Sequence, residues 1–272
     1  TLGVRVVVGS NPIIPTIFFP TPEESKINAM KKTILLTNDD GFLSPGLRHL
    51  HEKLSGAYDV YIVAPDGERS AVSMSLTLNR PLRIHQIGEK EYEVDGTPVD
   101  CVNIAIDKIL PHPPDFVISG MNMGENLSED VFFSGTVGGA FAAHLYGAPA
   151  LAVSLIPGEI ETEDHTPSGY NYSSSTVYDF EGGAEIAAGV LEKLMGNPDL
   201  LKMGVVFNLN IPYDNTGRII VSSQGLKQYK PDVIENTDPR GRKYFWFGTG
   251  DPLSKGEIGT DIETISNRHI SL

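Results

Sequence analysis

Five short apolar runs, each cut off by a turn and separated from the next by a segment of different periodicity, constrain this chain more than any other feature. They are Thr33–Thr37, Asp59–Ala64, Asp115–Ser119, Ala150–Leu155 and Gly204–Ile211. Runs this short and this apolar read as strands covered on both faces, and such strands need helices above and below them. Intervening segments supply those helices. Gly46–Leu54 puts Leu47, Leu50 and Leu54 on one side, with Gly56 as a stop signal. Thr97–Ile109 has Pro98 in its first turn and aligns Val99, Val102, Ile106 and Ile109. Thr136–Tyr146 is a helix of small residues, and Gly182–Met195 is amphipathic. Strand, loop, helix, strand is the right-handed unit of a parallel sheet, so the predicted class is α/β. Residues 76–84 and 91–95 read as an extended pair around Gly88, a hairpin, and 157–175 as an exposed polar loop.

The chain has 272 residues, 40% of them apolar, enough for one substantial core. A single domain is expected over residues 30–272, with a core at about 30–225 and a C-terminal arm at about 226–272. In that arm charges, prolines, glycines and aromatics mix without a core-forming period of their own. Residues 1–29 do not begin with Met, hold four prolines and show no sustained period. They are read as a leader or upstream extension outside the fold; the competing reading is an ordered arm on a neighbouring subunit. A net charge of −14 opposes a nucleic acid polymer as partner, because phosphate backbones select basic surfaces. The same acidity is silent about a small phosphate ester, since a bound divalent cation reverses the local field. One cysteine, Cys101, leaves no intramolecular disulfide and no thiolate zinc site, and reads as a core residue. No run approaches the ~20 apolar residues of a membrane span, and nothing points away from the cytoplasm.

In an open parallel sheet, ligands bind outside the carboxyl ends of the strands. There the first run is followed by Asn38, Asp39 and Asp40; the second by Asp66, Arg69, Ser70, Ser73 and Ser75; the third by Ser119, Asn122 and Asn126, then Ser134, Gly135 and Thr136. Adjacent carboxylates at Asp39 and Asp40 repel unless a proton or cation intervenes. Carboxylate, hydroxyl and amide oxygens suit Mg²⁺, Mn²⁺ or Ca²⁺ better than zinc. The bland alternative for residues 38–41 is a turn and cap cluster. Likewise, Ser134–Gly139 offers N–H groups for an anion at a helix start, or else an ordinary N-cap with close packing through Gly138 and Gly139. No Walker loop, dinucleotide fingerprint or nucleophile elbow is present, and the seven histidines form no metal-binding pattern.

Taken together, these stretches resemble the SurE family, the survival protein E nucleotidases. The resemblance is carried by Ile34–Gly41 with Ser44–Gly46, by Val63–Asp66 with Arg69 and Ser70, and by Ser75–Leu78. Gly96–Pro98 with Asp100 and Cys101, Pro114–Asn122 with Gly124 and Asn126, and Ser134–Gly138 continue it. Asn208–Pro212, Asp238–Gly241 and Gly259–Asp261 complete it. It implies a Rossmann-like, three-layer α/β/α fold with a mainly parallel sheet, a hairpin, and a C-terminal extension used in contacts of a homodimer or homotetramer. It also implies a hydrolase of nucleoside 5′-monophosphates (some members also cleave other phosphomonoesters or short polyphosphate) with one divalent cation per subunit. Metal ligands then fall at Asp39, Asp40, Ser70 and Asn122, and the two aspartates are the catalytic residues. Asn38, Asn126, Ser134, Gly135 and Thr136 are expected around the phosphate. Two departures from the family pattern stand out. Residues 71–74 read Ala-Val-Ser-Met where many relatives carry Gly or His, and Arg268–Leu272 resembles only the start of the family's terminal strand.

The rivals are a haloacid-dehalogenase-like phosphatase, a metal-assisted nucleotide- or polyphosphate-binding module without catalysis, and an interaction subunit whose aspartates only cap a helix. The first wants a second aspartate two positions after Asp39, where Gly41 stands.

Overall fold

Ile34 and Leu36 share one face of the first strand and Leu35 the other, and all three are fully buried, so the strand is covered on both sides. In this computed structural model, which describes residues 31–159, 176–230, 232–248 and 253–272, that strand is β1, Thr33–Thr37. Helix α1 (Pro45–Ser55), strand β2 (Asp59–Pro65), the hairpin β3 (Ile84–Gly88) and β4 (Glu91–Val94), and helix α2 (Pro98–Ile104) follow. Then come β5 (Phe116–Met123), α3 (Gly135–Leu145), β6 (Ala150–Ile156), the short pair β7 (Gly158–Glu159) and β8 (Thr176–Val177), and α4 (Phe180–Met195). The chain continues through α5 (Pro198–Leu201), β9 (Val206–Pro212), β10 (Ile219–Ile220), β11 (Leu226–Gln228), β12 (Val233–Thr237) and β13 (Lys243–Phe247). It ends with β14 (Leu253–Lys255), α6 (Asp261–Ser266) and β15 (Ile270–Ser271).

Nine strands form the main sheet in the order β10-β15-β9-β6-β5-β1-β2-β4-β3. From β9 to β4 all neighbours are parallel; β3 and β15 pair antiparallel with β4 and β9. On one face α1 and α4 bury Leu47, Leu50, Leu54, Leu191 and Leu194 against Ile34, Leu36 and Phe116. On the other, α2 and α3 bury Val99, Val102, Val137 and Ala140 against Leu35, Val63 and Val117. This is the three-layer α/β/α architecture. Each fully buried leucine contributes roughly 1.5–3 kcal/mol of transfer free energy, so the two helix layers hold the sheet rigid beneath its loops.

The topology positions the site. From β1 the chain crosses to β2 on one side, then returns through α2 to β5 on the other side of β1. Strand order therefore reverses between β1 and β5, and a crevice opens at their carboxyl ends.

Several elements differ from the sequence reading. Gly120 does not end the third strand; β5 runs on to Met123, and its register with β6 shifts between Ser119 and Asn122. The bulge carries Asn122 as part of a paired strand and not of a loop. The helix read as Thr97–Ile109 keeps α geometry only to Ile104 and then widens to a π turn over Ala105–Ile109. The hairpin's first arm is Ile84–Gly88; residues 76–83 form no strand, consistent with Pro81, which lacks a ladder donor. Beyond residue 225 the chain is only partly an arm. Strands β12 and β13 make an exposed hairpin, but β15 returns to the main sheet between β10 and β9. Residues 1–29, read as a leader, and 160–175 of the expected loop lie outside the described residues; Gly158–Glu159 and Thr176–Val177 flank the latter as a paired stem. Among the described residues no helix is long and apolar enough to cross a membrane.

Candidate active site

Asn38 follows β1 directly and is fully buried, and its side-chain amide donates to the Gly41 carbonyl at 2.9 Å and to Ser44 Oγ at 2.6 Å. Ser44 in turn caps α1, accepting from the Leu47 amide. Gly41 has φ +98°, a conformation that side-chain-bearing residues rarely adopt, and its Cα side faces Gly67 so closely that a Cβ would lie 3.0 Å from the Gly67 backbone. These local bonds hold the two aspartates between Asn38 and Gly41 at the switch point.

Asp39 is 6% exposed and faces the start of α3. Thr136 Oγ donates to Asp39 Oδ1, and the backbone amides of Gly135 and Thr136 lie near the same carboxylate and favour its charged form. Gly135 is required by this approach, because a Cβ there would come within 2.9 Å of Asp39 Cβ and Oδ2. Ser134 is the N-cap of α3 and accepts from the Val137 amide at 3.0 Å. Both readings of this segment therefore hold in part. It is an N-cap, and the anion at its helix N-terminus is the Asp39 carboxylate of the protein itself.

Burial raises the Asp39 pKa despite these donors. Asp40 is pushed up to about 7, first by burial, then by the charge of Asp39 and, to a lesser degree, of Glu68, while the Met123 amide works in the opposite direction. Its Oδ2 is buried with no hydrogen-bond partner among the described residues. A buried acceptor without a donor is costly unless a proton or a cation meets it.

A cavity of about 910 Å³ opens over this point. Of the residues expected at the site, Asp39, Asp40, Ser70, Asn122, Asn126 and Ser134 line it. Asn38, Gly135 and Thr136 do not; the Asn38 side-chain amide is committed to the turn after β1 and the Thr136 hydroxyl to Asp39. Ser70 Oγ donates to Glu68 at 2.7 Å, and Asn122 Nδ2 donates to the Gly124 carbonyl at 2.9 Å. Both arrangements leave acceptor oxygens for a cation. Asn126 is 5% exposed and tied to Ser154, Asn208 and Asn210, which makes it a rigid piece of wall.

The donor set fits a hard divalent cation: two adjacent carboxylates, one with an uncommitted buried oxygen, beside a hydroxyl and an amide oxygen. Among the described residues no three or more His, Cys, Asp or Glu group so as to hold a metal, so the oxygens of Ser70 and Asn122 would have to complete the set beside the two aspartates.

Glu68, Phe133, Asp130 and Tyr229 also line the cavity and escaped the sequence reading. Glu68 carried a usable signal, since it lies two residues before Ser70 in the same strand-end loop. Asp130 and Tyr229 carried none, for they meet across 99 residues of chain.

The family model described as Survival protein SurE matches residues 34–231, from β1 past Tyr229. The chain belongs to the SurE family. Curated SurE relatives include the 5′-nucleotidase SurE of Geotalea daltonii, 41% identical over 88% of this chain and 90% of that protein. That of Pelobacter propionicus is also 41% identical, over 88% of this chain and 91% of its own length. Among solved structures, the SurE protein from Aquifex aeolicus superposes with a TM-score of 0.67 at 35% identity, covering 88% of this chain and 91% of that one. Family, α/β class and sheet architecture thus agree with the reading of the motifs.

Proposed function

We propose that this chain is a metal-dependent phosphomonoester hydrolase acting on nucleoside 5′-monophosphates, with other phosphomonoesters or short polyphosphate as secondary substrates. The observation that carries this reading is the unpartnered, buried Asp40 oxygen at the floor of a cavity open to a small anion. The relatives named 5′-nucleotidase SurE, matched over most of their length, support the substrate class.

Asp39, Asp40, Ser70 and Asn122 would hold one Mg²⁺ or Mn²⁺, with Ca²⁺ as a possible substitute in the same oxygen set. Such a cation supplies charge neutralisation at the phosphoryl oxygens and acidifies water. Asp39, tied by the Thr136 hydroxyl and flanked by two amides, is the positioned carboxylate. Asp40 keeps an oxygen free for the cation or for a proton of water, so replacing it removes both capacities. Ser134 uses its oxygen to cap α3, and its hydroxyl proton is available to a phosphoryl oxygen. Asn38, Gly135 and Thr136 act one layer back, by orienting Asp39.

Phosphate release from AMP, GMP and p-nitrophenyl phosphate, measured with Mg²⁺, Mn²⁺ and EDTA, tests the reading. Turnover with either metal that EDTA abolishes, and that Asp40→Asn reduces by at least a hundredfold, is the expected result. Metal-assisted AMP binding with no phosphate release would replace it with a binding module. Unchanged metal-dependent turnover in Asp40→Asn would remove the aspartate from its role.

A further inference from the structure

Lys227 is the central residue of β11 with its side chain 7% exposed, and its ammonium sits 2.5 Å from Asp130 Oδ2 and 3.1 Å from Glu125 Oε1. Its backbone amide donates to Glu129. Burial opposes the lysine's charge, but the hydrogen bonds and charges of Asp130 and Glu125 overcome it and hold the ammonium above the usual lysine value. The other Asp130 oxygen accepts the Tyr229 hydroxyl. Partial burial, followed by that bond and the Asp130 charge, pushes the Tyr229 phenol up to about 12, so the ring is neutral at any physiological pH. Tyr229 is therefore gripped by its hydroxyl edge, through an aspartate that a buried lysine holds in place.

The ring itself stays half open. Tyr229 is 48% exposed and lines the same cavity as Asp39 and Asp40, together with Phe133 at 60% and Phe247 at 92% exposed. An apolar core residue would be covered, and a tyrosine serving only as a hydrogen-bond donor would not need a fixed, open ring. At about 910 Å³ the cavity is of a size that takes a drug-sized ligand and far exceeds a phosphate group. One end carries oxygen ligands; the wall contributed by the arm carries aromatic surface.

The geometry points to Tyr229 as the platform on which the heterocyclic base of the substrate stacks, with Lys227 and Asp130 as the pair that positions it. This rests on the nucleotidase reading and goes further by assigning the part of the site that tells a nucleotide from other phosphomonoesters. Stacking tolerates any base, because every base has a π face; the platform selects for an aromatic base and not for one particular base. Lys227 and Asp130 act through Tyr229 and are positioning residues.

Two readouts test this independently. In the first, KM and kcat are measured for AMP and for glycerol 2-phosphate, which has no ring, with Mg²⁺ or Mn²⁺ present. Tyr229→Ala is expected to raise the KM for AMP at least tenfold with kcat within twofold, and to leave glycerol 2-phosphate within twofold on both. Tyr229→Phe, which keeps the ring and loses only the hydroxyl bond, stays within about threefold of the parent for AMP. Lys227→Met raises the KM for AMP while sparing glycerol 2-phosphate. In the second, adenosine binding is followed by calorimetry, and Tyr229→Ala weakens it by the same factor as the KM for AMP. Equal losses on both substrates, or adenosine binding that ignores Tyr229→Ala, would overturn the platform. If the parent chain releases no phosphate from either ester but binds adenosine through Tyr229, the platform stands and the nucleotidase reading falls.

Discussion

Asp40 makes the strongest demand at the scale of one residue, because its acidity in the folded chain differs so much from that of a free carboxyl. Its pKa is about 7 in the folded chain against an ordinary value of 3.8, so without metal the folded state holds, between those two values, a proton that the unfolded state has released. Stability from this group is therefore greatest at low pH and is lost as pH rises from about 4 through 7. The melting temperature of EDTA-treated protein should fall between pH 5 and pH 8, and Asp40→Asn should flatten that slope. A steeper fall in the variant would contradict the assignment. Adding Mg²⁺ at pH 8 should raise the melting temperature of the parent and not of the variant; at a hundredfold excess over the dissociation constant the gain is about 2.7 kcal/mol. Gly135 answers to the same geometry. Gly135→Ala forces a methyl group against Asp39, and is expected to cost about 1–3 kcal/mol in urea unfolding and at least tenfold in turnover.

Elements behave as their burial dictates. Leu50 lies at the centre of α1 with no exposed surface, so Leu50→Ala should cost about 2–5 kcal/mol in urea unfolding, without shifting the KM for substrate. Asp261, at the start of α6, accepts from the Ser128 amide and hydroxyl in a buried setting and from the Gly225 amide in a partly buried one. That carboxylate and Lys227 fasten the C-terminal segment to the turn carrying Asp130, so Asp261→Ala is expected to lower activity on AMP as well as stability, by circular dichroism melts and kinetics. The five buried strands and the helices α1 to α4 were legible because each satisfies a period or a continuous apolar run, although α2 proved shorter than read. Gly120 misled because a glycine inside a strand and a glycine ending one look alike in sequence; the bulge that distinguishes them is set by the neighbouring strand β6. That Asp39, Asp40, Ser70 and Asn122 share one cavity was legible from their places at strand ends, whereas the use of Thr136 on Asp39 was not. That bond joins residues 97 positions apart, and it depends on how α3 packs over the sheet.

For the whole molecule, the order reversal between β1 and β5 explains why oxygen-bearing side chains from loops far apart in sequence share one cavity. We propose that the exposed apolar hairpin, with Trp246 65% and Phe247 92% exposed, is a contact between copies of this chain in a homodimer or homotetramer. Light scattering on the eluting protein should give two or four times the chain mass, and Trp246→Glu should reduce it; a monomeric parent chain would end that expectation. The bond network around Asp39 has a consequence for observation. Since the Gly135 and Thr136 amides point at a carboxylate that would bind the cation, their nuclear resonances become internal reporters of metal loading. A titration with Mg²⁺ should move those two backbone signals well before any change spreads along α3, letting occupancy be followed with no substrate present.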